Sequence, residues 1–587
     1  MMTTQSHTQT NGKIQFFEKF QFYLSLEVPK LKNRKQFTQL IHSHTVSSSR
    51  VSFSHSKNFK NFNMLPLLLL LVLMVQTSSS CNVDPPNQCT WYMSNLTFET
   101  RVKALMNEMN VTEKLNVLNQ ASVPRLHIPN DGFNEALHGV AWAGRATVFP
   151  CPMGMASTWN TDLIHEMGIV VSYEALAKHK NGTNALSFYA PNINIVRDVR
   201  WGRAQETYGE DPTLTGLMAS AYINGMQFPR GKNDSLAVRN VAKHFAAYNL
   251  ESNFAVGGTD GQFRLSYDAN VSTEDLENTF LPAFREIVSD VSGVMCAYNS
   301  VNGTPICANN VLIHDILRDQ MKFNDGIVVT DCGAIDFMIS NHKWNHSDGR
   351  PYNRSEVAAA TLSAGTDLNC GTAYSMLPQA LKENLLNLSD INLSVRRQLL
   401  GYMRLGLFQD TQTDRLDWRR NISMDVVDSS EHRDLALRIA AESVIVLKNH
   451  DELLPLGGYG MANFSSSPRP MKLAVIGPNA NRTLTLTSNY AGCKDAAGGP
   501  ILSTCTFVNP LQGIRNLAKS LNHLNDDVKY AMGCDIDTDR VDGFEEAVSV
   551  AKEADVVILV LGLITCQETG DQCIEAEAPD RSTGSNP

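Results

Sequence analysis

The hydrophobic pattern of this chain alternates short β-branched runs with longer amphipathic segments. One run, 327–329, is too short for a helix and lacks polar alternation, so it predicts a strand buried on both faces of a parallel sheet. The strand is followed by Asp331 and then by the small residues Cys332 and Gly333. The pattern marks Asp331 as a strand-end carboxylate, which is either a helix cap or a catalytic group.

Similar runs recur over residues 81–400, separated by helical patterns. The predicted strands lie near 147–151, 186–196, 237–247, 292–299, 325–331 and 361–369. The predicted helices include 161–178, 212–226, 274–290, 309–319 and 374–386. This rhythm is typical of an α/β fold with a parallel sheet and helices outside it. A TIM-like (β/α)8 catalytic barrel is the simplest expectation, although a doubly wound open sheet would show the same alternation.

Residues 401–435 are irregular and polar, which predicts a linker between domains. A second α/β unit is predicted over 436–587. Its elements are predicted helices at 432–447 and 543–553 and predicted buried strands at 472–477 and 555–562. We expect an incomplete α/β sandwich here, because the sequence ends soon after the last strand and leaves few residues to cover the sheet edge. We expect the uncovered sheet edge to lower the stability of this second unit.

The apolar run 64–75 has the three parts of a secretory signal and is too short to span a bilayer. We expect residues 64–80 to be a signal peptide of a secreted, extracellular protein. Residues 1–63 hold nine basic and two acidic residues. We expect translation to begin at Met64, which would leave residues 1–63 untranslated; the alternatives are a long natural leader and a disordered basic tail.

Two further patterns favour a secretory, oxidising compartment. Glycosylation sequons lie at Asn95, Asn110, Asn181, Asn233, Asn270, Asn302, Asn345, Asn353, Asn387, Asn392, Asn421, Asn463 and Asn481. Cysteines close in sequence form plausible disulfides with open connectivity: Cys81/Cys89, Cys296/Cys307, Cys332/Cys370, Cys493/Cys505 and Cys566/Cys573. A disulfide at Cys332 would remove it as an alternative nucleophile beside Asp331.

The overall charge narrows the class of ligand. A net charge of −10, with 19% charged and 43% hydrophobic residues, argues against nucleic acid or an anionic membrane as the main partner. Neutral or mildly acidic ligands fit better. Neither a metal-ligand spacing, a phosphate-binding glycine loop nor a dinucleotide motif is present, so we expect no metal and no cofactor.

Several predicted strands end in polar clusters, at 134–139, 200–203, 243–244, 298–299 and 331. On one edge of a sheet they would form a pocket rich in hydrogen-bond donors and acceptors, which suits a polyhydroxylated ligand such as a sugar. Each also has a structural interpretation. Arg203 could pair with Glu206 or Glu210. His244 could be a hydrogen-bonded core histidine, and Tyr298 could simply pack.

These motifs resemble glycoside hydrolase family 3 in order and spacing, over roughly residues 84–581. The segments that carry the resemblance are 197–203, 206–212, 243–245 and 329–333. Segments 134–139 and 574–581 are similar to the β-xylosidase/α-L-arabinofuranosidase branch. Ala246 and Ala247 after the Lys-His pair depart from the family's hexosaminidase branch, and Phe133 stands where plant relatives tend to carry tryptophan.

The resemblance implies a retaining exo-glycosidase that acts on xylo-oligosaccharides or arabinoxylan-type carbohydrate, with its active site between a barrel and a sandwich. Asp331 falls on the nucleophile, and Glu577, with Glu575 as the alternative, falls on the acid/base. The positions that hold the hydroxyls of the terminal sugar are Glu135, Tyr189, Arg203, Lys243, His244 and Tyr298. Two alternatives stay open: a β-glucosidase of the same family, and a non-catalytic sugar-binding fragment.

Overall fold

The computed structural model describes residues 89–252, 263–408, 418–456, 470–493, 503–520, 527–536 and 540–564. The predicted leader and signal peptide lie outside these residues. So do Glu575 and Glu577, and the cysteines Cys81, Cys566 and Cys573.

Ten strands lie in the described part of the chain. They are β1 (Ser187–Phe188), β2 (Arg239–Phe245), β3 (Asp268–Ala269), β4 (Gly293–Cys296), β5 (Ser300–Val301), β6 (Thr304–Pro305), β7 (Ile327–Thr330), β8 (Leu473–Ile476), β9 (Lys529–Ala531) and β10 (Val556–Leu559). Strands β1, β2, β4 and β7 form a parallel sheet in that order. Isolated parallel bridges extend it, from Asn134 to Phe188 on one side and from Val329 to Leu368 on the other. The predicted α/β class with a parallel sheet is confirmed.

The α-helices of the described residues follow most of the predicted pattern, and the last two of them belong to the second sheet described below. They are α1 (Phe98–Glu108), α2 (Val111–Leu118), α3 (Pro152–Ala156), α4 (Thr161–Lys180), α5 (Pro212–Gln227), α6 (Thr273–Asp275), α7 (Pro282–Ile287), α8 (Ala334–Ser340), α9 (Arg354–Ser363), α10 (Leu377–Lys382), α11 (Leu388–Arg404), α12 (Ser430–Glu442), α13 (Pro510–Ser520) and α14 (Phe544–Lys552). Two π-helical segments, Leu276–Phe280 and Val311–Gln320, fall in predicted helices.

Helices α4 and α5 show how local sequence sets these elements. Each begins at a polar side chain that accepts a backbone N–H of the first turn, Asn160 for α4 and Asp211 for α5. The two helices pack closely at Gly225, where a Cβ atom would lie 2.1 Å from the carbonyl oxygen of His165. Both predicted helices are confirmed, and the close contact requires glycine.

Strand β7 is buried along its whole length, as its unbroken apolar run predicts. Two other strand predictions are wrong. Within the fully described stretch 89–252, residues 147–151 form no strand; Thr147 instead donates its N–H and its hydroxyl to Glu174. Over 361–369, helix α9 continues to Ser363, and the strand pairing is limited to Leu368.

A second module, the described residues between 470 and 564, has its own sheet and core. Its parallel strands follow the order β10-β8-β9. Met471, Leu473, Val475, Leu511 and Val528 are among the side chains of its core. The first module, the described residues between 89 and 408, has a separate core, and helix α12 packs its buried side chains against that core.

The domain boundaries at 400 and 435 stay predictions. Helix α11 runs across residue 400, and α12 begins before residue 436. The predicted disulfides Cys296–Cys307, Cys332–Cys370 and Cys493–Cys505 are confirmed. None of the helices in the described ranges is long and apolar enough to cross a membrane.

Candidate active site

The candidate residues meet where neighbouring parallel strands end. Cys296 at the end of β4 pairs with Phe245 of β2 on one side and with Thr330 of β7 on the other. The N–H of Asp331 continues this pairing by donating to the carbonyl oxygen of Cys296 at 3.0 Å. Because the strands are parallel, their carboxyl ends share one edge, and the side chains that follow them converge there.

Asp331 is buried, with 7% of its surface exposed. Its Oδ1 accepts the N–H of Cys332 at 2.7 Å. Helix α8 begins at Ala334; its N-cap residue is Gly333, and no side chain caps the helix. The helix-cap interpretation of Asp331 is therefore not the one that the structure adopts. The disulfide between Cys332 and Cys370 also removes Cys332 as a nucleophile.

His244 is held as a neutral acceptor beside this carboxylate. Asn194 clamps it: the Asn194 amide nitrogen donates to the His244 carbonyl at 2.7 Å, and its Oδ1 accepts the His244 backbone N–H at 3.0 Å. This orients Oδ1 as the acceptor for Nδ1–H at 2.8 Å. Burial holds the pKa of His244 well below its usual value, and nearby cationic side chains lower it further. With the proton on Nδ1, Nε2 carries a lone pair, and it lies 3.5 Å from Asp331 Oδ2. A ligand hydroxyl can therefore donate a hydrogen bond to Nε2.

Lys243 and Glu135 form a second polar pair. The Lys243 ammonium donates to both carboxylate oxygens of Glu135 at 2.8 Å each. Burial raises the pKa of Glu135 to about 7, although the neighbouring lysine opposes the shift. Burial also raises the pKa of Tyr189, and the charges of Glu135 and Asp331 add to the increase, which places Tyr189 near both carboxylates. Its ring stacks on Phe133 with 4.7 Å between centroids.

Arg203 makes the structural pair that its sequence neighbours suggest. Its Nε and Nη2 each donate to one oxygen of Glu206 at 2.8 Å, and both side chains are fully buried. The guanidinium lies 5.8 Å from the ring centroid of Tyr248. It is also close enough to His244 to affect its pKa. Arg203 therefore forms a structural ion pair and also lies at the candidate site.

Tyr298 completes the group and donates its hydroxyl to the Cys332 carbonyl at 3.1 Å. The structure thus brings together every candidate within the described residues, while their assigned roles stay predictions. Residues that contact the candidates but were missed from the sequence include Asn194, Tyr248, Asn489 and Tyr490. Asn192 and Asn194 lie two residues apart within the predicted strand 186–196, on one face of it, a signal that could have been used. Asn489 and Tyr490 lie in the second module and carry no periodic signal.

This geometry defines a class of site: a carboxylate at a strand end, ringed by buried charged and hydrogen-bonding groups, in an α/β protein. Such an arrangement can bind several hydroxyls of a small polar ligand and presents a carboxylate for attack on it.

The chain belongs to glycosyl hydrolase family 3. Residues 95–399 match the family's N-terminal domain, and residues 444–587 match its C-terminal domain. The first match contains all the described candidates. The second contains Asn489, Tyr490 and the two acid/base candidates.

Several curated relatives within this family carry β-xylosidase names. The chain is 35% identical to Beta-D-xylosidase 1 of Arabidopsis thaliana over 85% of its own length and 60% of the relative. It is also 35% identical to Beta-xylosidase/alpha-L-arabinofuranosidase 1 of Medicago sativa subsp. varia, over 89% of this chain and 64% of the relative. The solved exo-β-xylosidase XlnD of the same family, in complex with a xylobiose aziridine probe, superposes with a TM-score of 0.71 at 33% identity, over 86% of this chain and 60% of that structure. The chain thus spans about 60% of the length of several relatives it matches.

Proposed function

We propose that the chain is a retaining exo-glycosidase that removes terminal β-D-xylosyl residues from xylo-oligosaccharides, with α-L-arabinofuranosyl residues as a second substrate class. The observation that carries the proposal is the buried strand-end carboxylate Asp331, faced by the neutral acceptor His244 at 3.5 Å. The names of the β-xylosidase relatives support the choice of sugar.

The proposed mechanism is a double displacement. Asp331 attacks the anomeric carbon as the bond to the leaving oxygen breaks, and a glutamic acid transfers its proton to that oxygen. The same glutamate, now ionised, takes a proton from water, which attacks the covalent intermediate and releases the sugar with its original configuration. Glu577, with Glu575 as the alternative, is the acid/base in this proposal. A separation of about 5 to 5.5 Å from Asp331 would fit a retaining enzyme.

The proposed architecture is a closed (β/α)8 barrel over 81–400 followed by an α/β sandwich domain over 436–587. The parallel order β1-β2-β4-β7, extended at both sides by bridges to Asn134 and Leu368, supports a barrel because a closing sheet needs partners for both edges. A crystal structure with an open sheet over these residues would contradict this part of the proposal.

We also propose that the protein is secreted and glycosylated. Every described sequon asparagine except Asn392 is exposed, and three predicted disulfides are formed. N-glycosidase treatment of protein secreted by a eukaryotic host should lower its mass. An unchanged mass, or retention of the protein inside the cell, would count against secretion by this route.

The direct test is hydrolysis of aryl glycosides by the full chain. We expect 4-nitrophenyl β-D-xyloside to be hydrolysed with a higher kcat/KM than the matching β-D-glucoside, because the relatives at 35% identity carry xylosidase names. A preference for the glucoside would favour the β-glucosidase alternative. Xylose binding without turnover of any aryl glycoside would favour the non-catalytic alternative.

The pKa of Glu135, raised to about 7 by burial, predicts a pH-dependent affinity. Above this pKa the Glu135 carboxylate is ionised, so it accepts a hydrogen bond from a ligand hydroxyl and pairs with Lys243. Below this pKa the carboxyl is protonated and loses both of these interactions. We expect the affinity for D-xylose to fall up to about tenfold between pH 8 and pH 6. Calorimetric titration across this range is the measurement. Glu135→Gln should bind weakly and without this slope, and an equal slope in that variant would assign the titration to another group.

A further inference from the structure

A segment of the second module, residues 488–493, lies on the first module beside the candidate active site. The carbonyl of Asn489 accepts the Nε2–H of His138 at 2.7 Å. Two backbone bonds follow: Trp142 donates to Ala491 at 3.2 Å, and Cys493 donates to the carbonyl of Gly144 at 2.9 Å. The segment is therefore fixed at three points along its length.

The packing of this segment leaves no room for larger side chains. A Cβ atom on Gly492 would lie 2.6 Å from the Cβ of Ala146 and 2.9 Å from the carbonyl oxygen of Val140. Tyr490 is 8% exposed and packs in the core of the first module, although it lies in the sequence of the second. The Cys493–Cys505 disulfide ties the end of the segment back to the second module.

Asn489 completes the hydrogen bonds of a buried carboxylate. Its side-chain amide donates to Glu206 Oε1 at 2.6 Å. The other donors to Glu206 come from the first module: Arg203 at 2.8 Å to each oxygen, and Asn192 at 3.2 Å. A carboxylate has about four acceptor sites, so these donors fill them. Without Asn489, Glu206 would have a vacant buried acceptor site and could turn, and Arg203 would turn with it.

Tyr490 contacts the lysine of the Lys243–Glu135 pair. Its ring centroid lies 4.6 Å from the ammonium of Lys243, within the range of a cation–π interaction. The same ring lies 5.2 Å from that of Trp142, which limits its movement. Tyr490 therefore contacts the same ammonium group that donates to Glu135.

We propose that Asn489 and Tyr490 are positioning residues for the sugar site: Asn489 fixes the Arg203–Glu206 pair, and Tyr490 fixes the Lys243–Glu135 pair. The second module thereby sets the affinity of the first module for its ligand. This inference rests on the proposed function, because it assigns Arg203, Lys243 and Glu135 to the hydroxyls of a bound sugar.

The test compares Asn489→Ala with Asn489→Asp in the full chain. Aspartate has the shape of asparagine but lacks its donor and places a negative charge against Glu206. A positioning role predicts that Asn489→Asp is the more damaging change, whereas simple space filling predicts the reverse. We expect KM for 4-nitrophenyl β-D-xyloside, and the Kd for D-xylose, to rise about tenfold to a hundredfold with a smaller change in kcat.

Asn516→Ala is the matched control. Asn516 is an exposed asparagine of helix α13 in the same module, and its side-chain oxygen accepts an amide N–H of Gln512 at 2.7 Å. A purely structural role for Asn489 would lower the fraction of active protein, and thus kcat, at an unchanged KM. An unchanged KM in both Asn489 variants, or a smaller loss in Asn489→Asp than in Asn489→Ala, would overturn the assignment of Asn489.

Tyr490 gives an independent pair of variants if a charged Asn489 variant does not fold. Tyr490→Phe keeps the ring face, and Tyr490→Leu removes it. We expect the leucine variant to raise KM about tenfold and the phenylalanine variant to recover most of that loss. Equal KM values in the two variants would overturn the role of the ring. A wild-type chain that neither binds xylose nor hydrolyses the xyloside would instead contradict the proposed function itself.

Discussion

Asp331→Asn should lower kcat for 4-nitrophenyl β-D-xyloside by at least about a thousandfold. An amide is a poor nucleophile, so the covalent intermediate would not form. The folded state should persist, because asparagine has nearly the same shape and its oxygen can still accept the Cys332 N–H that now binds Oδ1 at 2.7 Å. Steady-state kinetics on the purified variant and the wild type would measure this loss of kcat. Thermal unfolding would verify that the variant is folded.

Asp336→Asn supplies the control for this variant. Asp336 lies on helix α8, five residues after Asp331, and pairs at 2.8 Å with an exposed arginine, Arg354. The activity of Asp336→Asn should stay within about twofold of wild type, since exposed ion pairs contribute little to stability.

A second variant of the proposed nucleophile, Asp331→Gly, opens space for azide. Azide can then attack the anomeric carbon and release nitrophenol with formation of a glycosyl azide. Near-normal turnover by Asp331→Asn, or no rescue by azide, would mean that Asp331 is not the nucleophile.

The parts of the fold that the sequence predicted well are those with a strong local pattern. The run that forms β7 has no polar interruption, and the segments of α4 and α5 combine a polar cap with many apolar positions. The wrong strand at 147–151 has a different cause. Its Thr147 satisfies the buried carboxylate of Glu174, which also accepts the backbone N–H of Asp428 at 2.9 Å. A contact across so many residues overrides local propensity and leaves no trace in a short window.

The candidate site shows the same division. Asp331, Lys243 and Tyr298 could be predicted because residues after parallel strands meet at one sheet edge. The partners that orient them could not. Asn489 contacts Glu206 from 283 residues away, and a sequence pattern contains no measure of such a distance. The choice between Glu575 and Glu577 also remains a prediction, because both lie outside the described residues.

Asp367→Asn is expected to destabilise the first module by about 3 to 5 kcal/mol, the cost of leaving buried charges unpaired. Asp367 is fully buried and lies between two arginines: Arg318 donates at 2.6 Å to one oxygen and Arg397 at 2.9 Å to the other. Burial lowers the pKa of Arg318 to about 10 even with this carboxylate beside it. Loss of the negative charge would leave two buried guanidinium groups facing an amide.

The effect should reach the active site, because the same carboxylate accepts the backbone N–H of Val328 in β7 at 2.8 Å. That strand leads directly to Asp331. Urea unfolding followed by tryptophan fluorescence would measure the loss, and kinetics on the folded fraction would show whether Asp331 is displaced. Asp542→Asn is the comparison, because its ion pair with Arg540 at 2.7 Å is exposed and its loss should leave the unfolding midpoint unchanged. Equal midpoints for Asp367→Asn and Asp542→Asn would mean that the two arginines find other partners, and that β7 does not depend on this carboxylate.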